Sequence, residues 1–291
     1  MESPQTLNRD QFELQVETSF SNVFEFDNIS NTTMNIDMEI WRTALTLGYG
    51  LNEKLDVKLE LPFISTTGGF LDAFIEGYHD LFKLPYSGRG FVQNNQTSFE
   101  VIHQGSRLIN HQAIALGLSD VRLRFKYLLS DHFNWPFKFA IAPYLKIPTG
   151  QSGSGLGSGQ FDIGLSLLAQ KSLKRFHITS HIGYVLLGKH RFLDAIIGHG
   201  FISFGQSLRF QILDGFSIIT QLSGNTSAFN NVNTRDLRRI VLDLNVGFAG
   251  EFTLKKSIFD EFFYQWSMSE DVISSGPSVD FSILFLAGVR Y

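Results

Sequence analysis

The chain has no cysteine, few charged residues and no long apolar run. The lack of thiols fits assembly in an oxidising periplasm, although cytosolic proteins can also lack cysteine. No apolar run reaches the roughly 18 residues that a membrane helix requires, which excludes a helical membrane protein. No cluster of Lys and Arg stands out and the formal net charge is −4, so we expect no nucleic-acid partner.

Apolar and aromatic residues are abundant instead. Hydrophobic residues make up 43% of the 291 residues and include 29 phenylalanines, whereas charged residues make up 18%. The length allows one large domain or two ordinary ones. Residues 1–10 lack the charged and apolar pattern of a leader, so we expect the mature form of an exported protein with an added Met1. These ten residues would form an N-terminal periplasmic segment.

Apolar and polar residues alternate with a period of two in segment after segment, which predicts strands. The last segment is the clearest, because Val279, Phe281, Ile283 and Phe285 alternate with polar or small residues. The predicted strands, twelve in all, are 12–26, 34–49, 55–63, 120–127, 137–147, 161–171, 176–187, 198–213, 216–226, 237–254, 258–268 and 278–291. In the second strand the apolar phase changes near Ile40 and Trp41, where we expect a β-bulge.

The connections between these strands alternate between short and long. The short ones include 51–54, 172–175 and 213–215, and the long ones include 65–116, 148–160 and 224–236. Outer-membrane barrels have short periplasmic turns, longer external loops and an even number of strands. We therefore predict an all-β protein, a transmembrane antiparallel β-barrel of about 12 strands forming one domain over residues 11–291. Its location would be the outer membrane of a Gram-negative bacterium, with both termini periplasmic.

A soluble β-sandwich or a lipocalin-like barrel also alternates apolar and polar residues. Neither class explains the asymmetry of the connections. Neither explains why aromatic residues such as Tyr49, Phe63, Tyr127 and Tyr291 gather near the predicted strand ends, as they do in the interfacial girdles of membrane barrels.

The long external loop over residues 65–116 contains a segment with helical periodicity. Apolar residues at helical spacing predict a short amphipathic helix over residues 70–84. Its apolar face could cover the barrel mouth, the lumen or the outer lipid leaflet, and Phe74, Tyr78, His79 and Asp80 are candidates for a gating loop. A catalytic or metal role for His79 and Asp80 is disfavoured, because adjacent residues on a helix do not face each other.

Two further patterns give little evidence for a phosphate-binding or metal site. The glycine-rich stretch 148–160 lacks the Gly-Lys-Ser/Thr ending of a phosphate-binding loop and is better read as an external hairpin loop. His177 and His181 lie four residues apart in a predicted strand, so they share a face but are separated by about 13 Å. We therefore predict no metal site, no cofactor and no catalytic residue.

The predicted lumen face carries charges of both signs. The pore-lining candidates are Asp56, Lys58, Glu60, Asp120, Arg122, Arg124, Lys126, Lys138, Lys146, Asp162, His177, His181, Arg239 and Asp243. One interpretation is a structural network of ion pairs that fills the barrel, since a lone buried charge is costly. The other is a polar channel in which Arg and Lys face acidic residues and create a transverse field for solutes.

Four segments resemble a known family. They are IEGYHDLFKLPYSGRG (75–90), GLSDVRLRFKYLL (117–129), the pattern KIPTGxxxxGxGSGxxD (146–162) and WSMSEDVISSGPSVDFSI (266–283). They look like an uncharacterised proteobacterial outer-membrane β-barrel family, a domain of unknown function, over nearly the whole chain. The Pro-Thr-Gly hairpin is also similar to barrels of the MetA pathway of phenol degradation. The resemblance implies fold and location, and it carries over no catalytic residues.

The pattern favours a passive channel or transporter for small solutes of unknown identity. A membrane-embedded hydrolase acting on lipid or peptide is one alternative, and a structural or partner-binding barrel is another. The expected partners are the outer-membrane bilayer, with its lipopolysaccharide leaflet outside, and the barrel-assembly machinery during biogenesis.

Overall fold

The structure, a computed structural model, describes residues 1–29, 31–83, 95–111, 113–130, 136–190, 193–230, 237–254, 257–273 and 279–291. The strands are β1 Phe12–Ile29, β2 Thr32–Asn52, β3 Leu55–Thr67, β4 Ser98–His103, β5 Ser106–His111, β6 Ile114–Leu118, β7 Val121–Leu128, β8 Lys138–Ile147, β9 Asp162–Leu173, β10 Phe176–Leu186, β11 Gly200–Leu213, β12 Phe216–Asn225, β13 Val241–Thr253, β14 Glu261–Asp271 and β15 Phe281–Arg290. The helix α1 spans Leu71–Phe82. In the described part of the chain, no helix has the length and hydropathy needed to cross a bilayer.

The sheet closes on itself because β1 pairs with β2 along one edge and with β15 along the other. Each remaining wall strand pairs with its neighbours in chain order, except that β3 pairs with β7 across the intervening segment. Leaving out the three strands of that segment, β4 to β6, twelve antiparallel strands form the barrel wall. Closure removes the exposed edges that an open sheet would leave. The predicted twelve-stranded barrel is confirmed, and its strand ends differ from the predicted ones by a few residues.

The two faces of the wall differ in polarity. On β1, Leu14 and Val16 point outward and are exposed, whereas Glu13 points into the barrel and is buried. An exposed apolar outer face with a polar inner face is the arrangement of a transmembrane barrel, because lipid replaces water outside. At the end of the barrel where β1 begins and β15 ends, Phe12 stacks on Tyr291 with 5.2 Å between ring centroids. We call this the turn end, since the connections 53–54, 174–175 and 214–215 also lie there, and the opposite end the loop end.

The predicted bulge near Ile40 and Trp41 is wrong. The pairing of β1 with β2 runs without a register shift from Phe12↔Tyr49 to Ile29↔Thr32. The apolar residues of β2 change from one face of the strand to the other because the two faces have different surroundings at the two ends of the barrel. Nearer the turn end the outward residues are apolar, whereas towards the loop end the inward residues Met34 and Met38 are buried and apolar.

The segment between β3 and β7 is structured rather than a plain loop. Strand β6 pairs with β3 and continues the wall, while β4 and β5 form a hairpin that pairs with the loop-end half of β2. The predicted helix is observed as α1, and residue 84 of its predicted range lies outside the described residues. The predicted strands did not include β4, β5 or β6.

The apolar inner face at the loop end belongs to a compact core. Met34 and Val101 from β2 and β4 pack against Ile196 and Leu237 from the connections that follow β10 and β12. We call these four residues the mouth cluster. Strand β2 lies on the opposite side of the barrel from β10 to β13 in the strand order, so the mouth cluster reaches across the opening at the loop end.

Candidate solute pathway

The lumen is lined by charged side chains that pair across neighbouring strands. Arg42 contacts Glu17 at 2.8 Å and also contacts Glu60. Towards the turn end, Lys58 lies 2.6 Å from Glu13, and Arg290 lies 2.9 Å from the other carboxylate oxygen of Glu13. Pairing of this kind offsets the cost of placing charges in a confined space.

The N-terminal segment, residues 1–7, enters this charged lumen from the turn end. The Glu2 carboxylate contacts Arg124 and lies 3.0 Å from Lys126 Nζ on the same strand. The Ser3 hydroxyl donates to Gln170 on β9 at 2.9 Å, and the Leu7 amide donates to the Asp56 carboxylate at 3.0 Å. Residues 1–7 of the predicted N-terminal periplasmic segment therefore contact the inner wall of the barrel. The cationic side chains on β3 and β7 attract an acidic segment into the barrel.

The lumen contains two cavities that the N-terminal segment separates. The turn-end cavity has a volume of about 440 Å³, and its lining includes Glu13, Asp56 and Lys58. The central cavity has a volume of about 740 Å³, and its lining includes Glu60, Arg122 and Arg124. Glu2 lines both, as do the wall residues Lys58, Arg209, Glu251 and Arg290, and we interpret the segment at this boundary as the constriction of the lumen.

The charge of Glu2 is stabilised by its surroundings. Burial by itself raises the pKa of this carboxyl group, but the positive charges of Lys126, Arg124 and Lys58 outweigh burial and hold its pKa well below the usual range. The carboxylate therefore stays ionised at neutral pH. A charge-assisted contact of this type is stronger than a neutral hydrogen bond.

Asp120, Lys146 and Asp162 form a linked set that also organises the loop end. Lys146 Nζ lies 3.3 Å from the Asp120 carboxylate and 2.6 Å from that of Asp162. Asp120 is buried and accepts hydrogen bonds from the amides of Gly150 and Ser158, each at 3.0 Å. Asp120 therefore fixes the glycine-rich connection 148–160 to the wall, and only Lys146 and Asp162 of the three line the central cavity.

The remaining pore-lining candidates occupy different places. His177 lines the turn-end cavity and lies 2.9 Å from the Ser172 hydroxyl, while His181 approaches Gly205 of β11. Lys138 is exposed at the start of β8, and Arg239 lies in the turn before β13, which begins later than predicted. Asp243, on β13, pairs in register with Asp271.

Helix α1 packs against the outside of the barrel. Leu71 and Ile75, each 1% exposed, contact Phe281. Phe281 shares its face with Phe285, which is exposed on the outer surface, whereas the alternate residue Leu284 lines the lumen. The Glu39 carboxylate accepts a hydrogen bond from the Leu71 amide at the helix N-terminus.

This position of α1 separates the gating candidates from the lumen. Phe74 and Tyr78 stack on each other and contact the outward side chain of Phe281, so the structure does not place them over the opening. Asp80 is exposed on the same helix. The side chain of His79 lies outside the described residues.

Sequence reasoning missed one residue of the pathway, Glu2. It precedes the first strand and carries no periodic signal, and only its acidic character ahead of a cationic strand face pointed to the lumen. Arg209, by contrast, belongs to the lumen face that the alternation predicts, and in the structure it shares the inward face of β11 with Ser207 and lines both cavities.

The described residues do not assemble a recognisable enzyme centre. Within the described ranges, no carboxylate lies at hydrogen-bonding distance from His177, the imidazole nearest a serine hydroxyl in the lumen. Over the same residues, no group of three or more His, Cys, Asp or Glu side chains has the geometry to hold a metal ion.

Comparisons with known proteins agree with this architecture. The crystal structure of the COG4313 outer membrane channel from Pseudomonas putida F1 is similar, with a TM-score of 0.56, 14% identity, and coverage of 100% of this chain and 99% of that one. The NanC porin is similar with a TM-score of 0.52, 9% identity, and coverage of 96% and 98%. At these identities the likeness concerns the fold. No curated protein matches the chain in sequence. A family model described as "Protein of unknown function (DUF3187)" matches residues 1–291, and the chain therefore belongs to this family, as its motifs implied.

Proposed function

We propose that this protein is a passive channel for small solutes in the outer membrane of a Gram-negative bacterium. The observation that carries the proposal is the lumen itself, in which cavities of about 440 and 740 Å³ lie in series between charged walls. A polar lumen inside an apolar outer face is the general construction of a barrel channel. The channel and the porin named above have the same fold, which supports the proposal.

The orientation follows from the asymmetry of the two ends. The turn end, which carries the start of β1 and the C-terminus, would face the periplasm, and the loop end with α1 would face outward. Phe70, directly before α1, and Leu81 on α1 are exposed, so the helix would lie against the lipopolysaccharide leaflet. Insertion would require the barrel-assembly machinery, as expected for a closed barrel of this class.

The ion pairs of the lumen are compatible with both interpretations of the charged face. Most of the charges pair, which stabilises the wall, but Arg122 is 47% exposed and lies 3.4 Å from Glu60. An exposed guanidinium on the wall of the central cavity can attract anions that pass through it.

The hydrolase and partner-binding alternatives have less support. A hydrolase requires a base held by a third group next to its nucleophile. The pair of Ser172 and His177 has no such carboxylate among the described residues. No feature of the described surface favours a particular macromolecular partner over the solute pathway.

Planar-bilayer recording of the refolded protein tests the proposal. We expect discrete current steps for the wild type, and a shift of the reversal potential towards cation preference for Arg122→Ala combined with Arg124→Ala, because two cationic groups leave the cavity wall. Lys174→Ala combined with Arg175→Ala is the matched control, since these residues occupy an exposed turn.

Heat-modifiable gel mobility would confirm that each variant is folded. A folded wild type without current steps, together with the absence of solute uptake in liposome swelling, would overturn the channel proposal. Current steps with unchanged selectivity in the double variant would remove Arg122 and Arg124 from the pathway.

A further inference from the structure

We propose that the central cavity binds small amphipathic anions, with the Arg209 guanidinium holding the anionic group and an apolar section of the lumen wall receiving the hydrocarbon body. This inference rests on the proposed channel function and names the class of solute. It goes beyond ion passage because it assigns a binding site of defined chemistry to one cavity.

The wall of the central cavity is divided into a charged side and an apolar side. The charged side consists of β3, β7, β8 and β9, from which Glu60, Arg122, Lys146 and Asp162 face the cavity. The apolar side is formed by strands on the opposite part of the barrel. Its inward apolar residues are Val185, Phe201, Ile219, Phe263, Leu284 and Leu286.

Lipid does not explain these apolar side chains, because they point into the lumen. Leu284 and Leu286 alternate along β15 with Phe285, which is exposed on the outer surface. A lumen devoted to hydrophilic solutes would have polar residues at these positions. An inward apolar surface that borders a cavity is instead suited to the hydrocarbon part of a ligand.

Arg209 differs from the other arginines of the lumen. Arg42, Arg124 and Arg290 each contact at least one carboxylate. Arg209 instead donates a hydrogen bond from Nε to a neutral group, the Ser217 hydroxyl, at 3.0 Å. Among the described residues, no carboxylate oxygen lies within ion-pair distance of its guanidinium.

Arg209 is half-buried and adjoins the apolar side of the cavity. It pairs in register with Ile219, which belongs to that side. A guanidinium that has left bulk water without a counter-ion gains by accepting one, and a carboxylate can bind it through two parallel hydrogen bonds. An anion carrying an apolar tail would satisfy the guanidinium and cover the apolar wall at once.

The other polar groups on this side are compatible with an anion. Gln221, Asn245 and Gln265 line the cavity with neutral amides, and the Met1 ammonium, a second cationic group, donates to Gln221 Oε1 at 2.7 Å. Glu251 also lines it, but this residue lies nearer the turn end of β13 than Ala249, the partner of Ser217. A volume of about 740 Å³ accommodates a compact organic ligand of ordinary size.

Isothermal titration calorimetry on the detergent-solubilised barrel tests the site. The probe is 4-phenylbutyrate, an apolar body with a carboxylate, and the comparison compounds are 4-phenylbutanol, which lacks the charge, and acetate, which lacks the body. We expect 4-phenylbutyrate to bind most tightly. Arg209→Gln should weaken that binding by about tenfold or more, the value of one charged hydrogen bond, and leave 4-phenylbutanol unchanged.

Two further variants separate the parts of the site. Arg175→Gln makes the same chemical change in an exposed turn and should bind 4-phenylbutyrate like the wild type. Leu286→Asn should weaken 4-phenylbutyrate although every cationic group is kept. Arg209→Lys should restore part of the affinity, because the charge returns without the bidentate geometry.

The outcomes distinguish this inference from the channel proposal. Equal affinity of the wild type and Arg209→Gln for 4-phenylbutyrate, or equal affinity of the wild type for 4-phenylbutyrate and 4-phenylbutanol, would overturn the site. If the wild type shows current steps in bilayers but does not bind 4-phenylbutyrate, the channel proposal stands and the anion site is refuted. Binding lost in Arg209→Gln, in a barrel that shows no current, would support the site and refute the channel.

Discussion

Replacing Glu2 by Gln should release the N-terminal segment from the lumen. The substitution keeps the size of the side chain and removes its charge. In the wild type the carboxylate contacts Arg124, lies 3.0 Å from Lys126 Nζ and lies 3.9 Å from Lys58 Nζ. Because the segment separates the two cavities, its release should join them into a wider path.

The size of the effect follows from these contacts. A hydrogen bond between charged groups contributes about 1.5–3 kcal/mol, and Glu2 makes two. The Glu2 side chain is 22% exposed, and both lysines retain another carboxylate, Asp56 for Lys126 and Glu13 for Lys58. Solvent screening and these remaining partners reduce the loss, so we expect about 2–3 kcal/mol for the attachment of the segment. This corresponds to a factor of about 30–150 in its equilibrium between the attached and released states.

Single-channel recording measures this equilibrium directly. We expect larger or flickering current steps in Glu2→Gln, because a released segment moves in and out of the lumen. The Leu7 amide still binds Asp56, so the segment should remain tethered near the turn end. Glu53→Gln, in the exposed turn between β2 and β3, is the control and should match the wild type. Identical step size and noise in wild type and Glu2→Gln would refute the role assigned to the Glu2 contacts.

Three further predictions concern pH, the loop end and the helix. Since the folded pKa of Glu2 is lowered, its contribution to segment attachment is fully present above the ordinary carboxyl value of about 4.3 and declines only below it. Burial lowers the pKa of the Met1 ammonium in the same segment, so the test is the difference in current steps between the wild type and Glu2→Gln, which should persist from pH 8 to 5. Disappearance of that difference within this range would contradict the role of the Glu2 charge. Asp120→Asn should destabilise the barrel by about 1–3 kcal/mol in urea unfolding, because it weakens the ion pair and hydrogen bonds that hold the connection 148–160, whereas the Glu53→Gln control should have no effect. Gly69→Ala should weaken the packing free energy of α1 against the barrel by about 1–2 kcal/mol or more, because Gly69 has a φ of +62° and a methyl group there would collide with the Glu39 carboxylate. Unchanged protease resistance of residues 70–82 would contradict this packing.

The barrel resembles its structural neighbours in its closed wall. The chemistry of its lumen depends on the identity of the inward residues, which the alternation of apolar and polar residues does not determine. At 14% and 9% identity, the two similar structures share the course of the strands and few of their side chains. The residues that distinguish this protein are therefore those on the inward face, in the N-terminal segment and at the loop end.

The period-two alternation determined the wall of this protein. A strand between lipid and a polar lumen must alternate, and this requirement is local enough to be read from 12–26 or 278–291 without knowledge of any other strand. The inward placement of Lys58, Arg122 and Arg124 followed from the same parity. The same alternation supplied the strand count, and the short turns and long connections were an independent sign of an outer-membrane barrel.

The pattern was misleading where the environment of the wall changes along one strand. The apolar phase of β2 moves from Leu45 on the outer face to Met38 on the inner face, with no change in register. The alternation by itself cannot distinguish a β-bulge from a strand whose apolar side chains lie on the outer face in one half and on the inner face in the other. Only the packing of Met34 against Val101 and of Leu71 against Phe281 shows that the loop end has a core inside the barrel and a helix outside it.

Tertiary structure alone decided which residues meet in the lumen. Glu2 and Arg124 are far apart in the chain and come together because the N-terminal segment turns into the barrel. Arg209 lacks a carboxylate partner because of the strands that surround it, and Leu284 and Leu286 form one side of a cavity because β15 lies opposite β8 and β9. The sequence by itself determined the strands and the direction of their side chains, because both depend on neighbours along the chain. The cavities, the constriction and the proposed anion site depend on closure of the barrel, which sets distances between strands that the sequence does not contain.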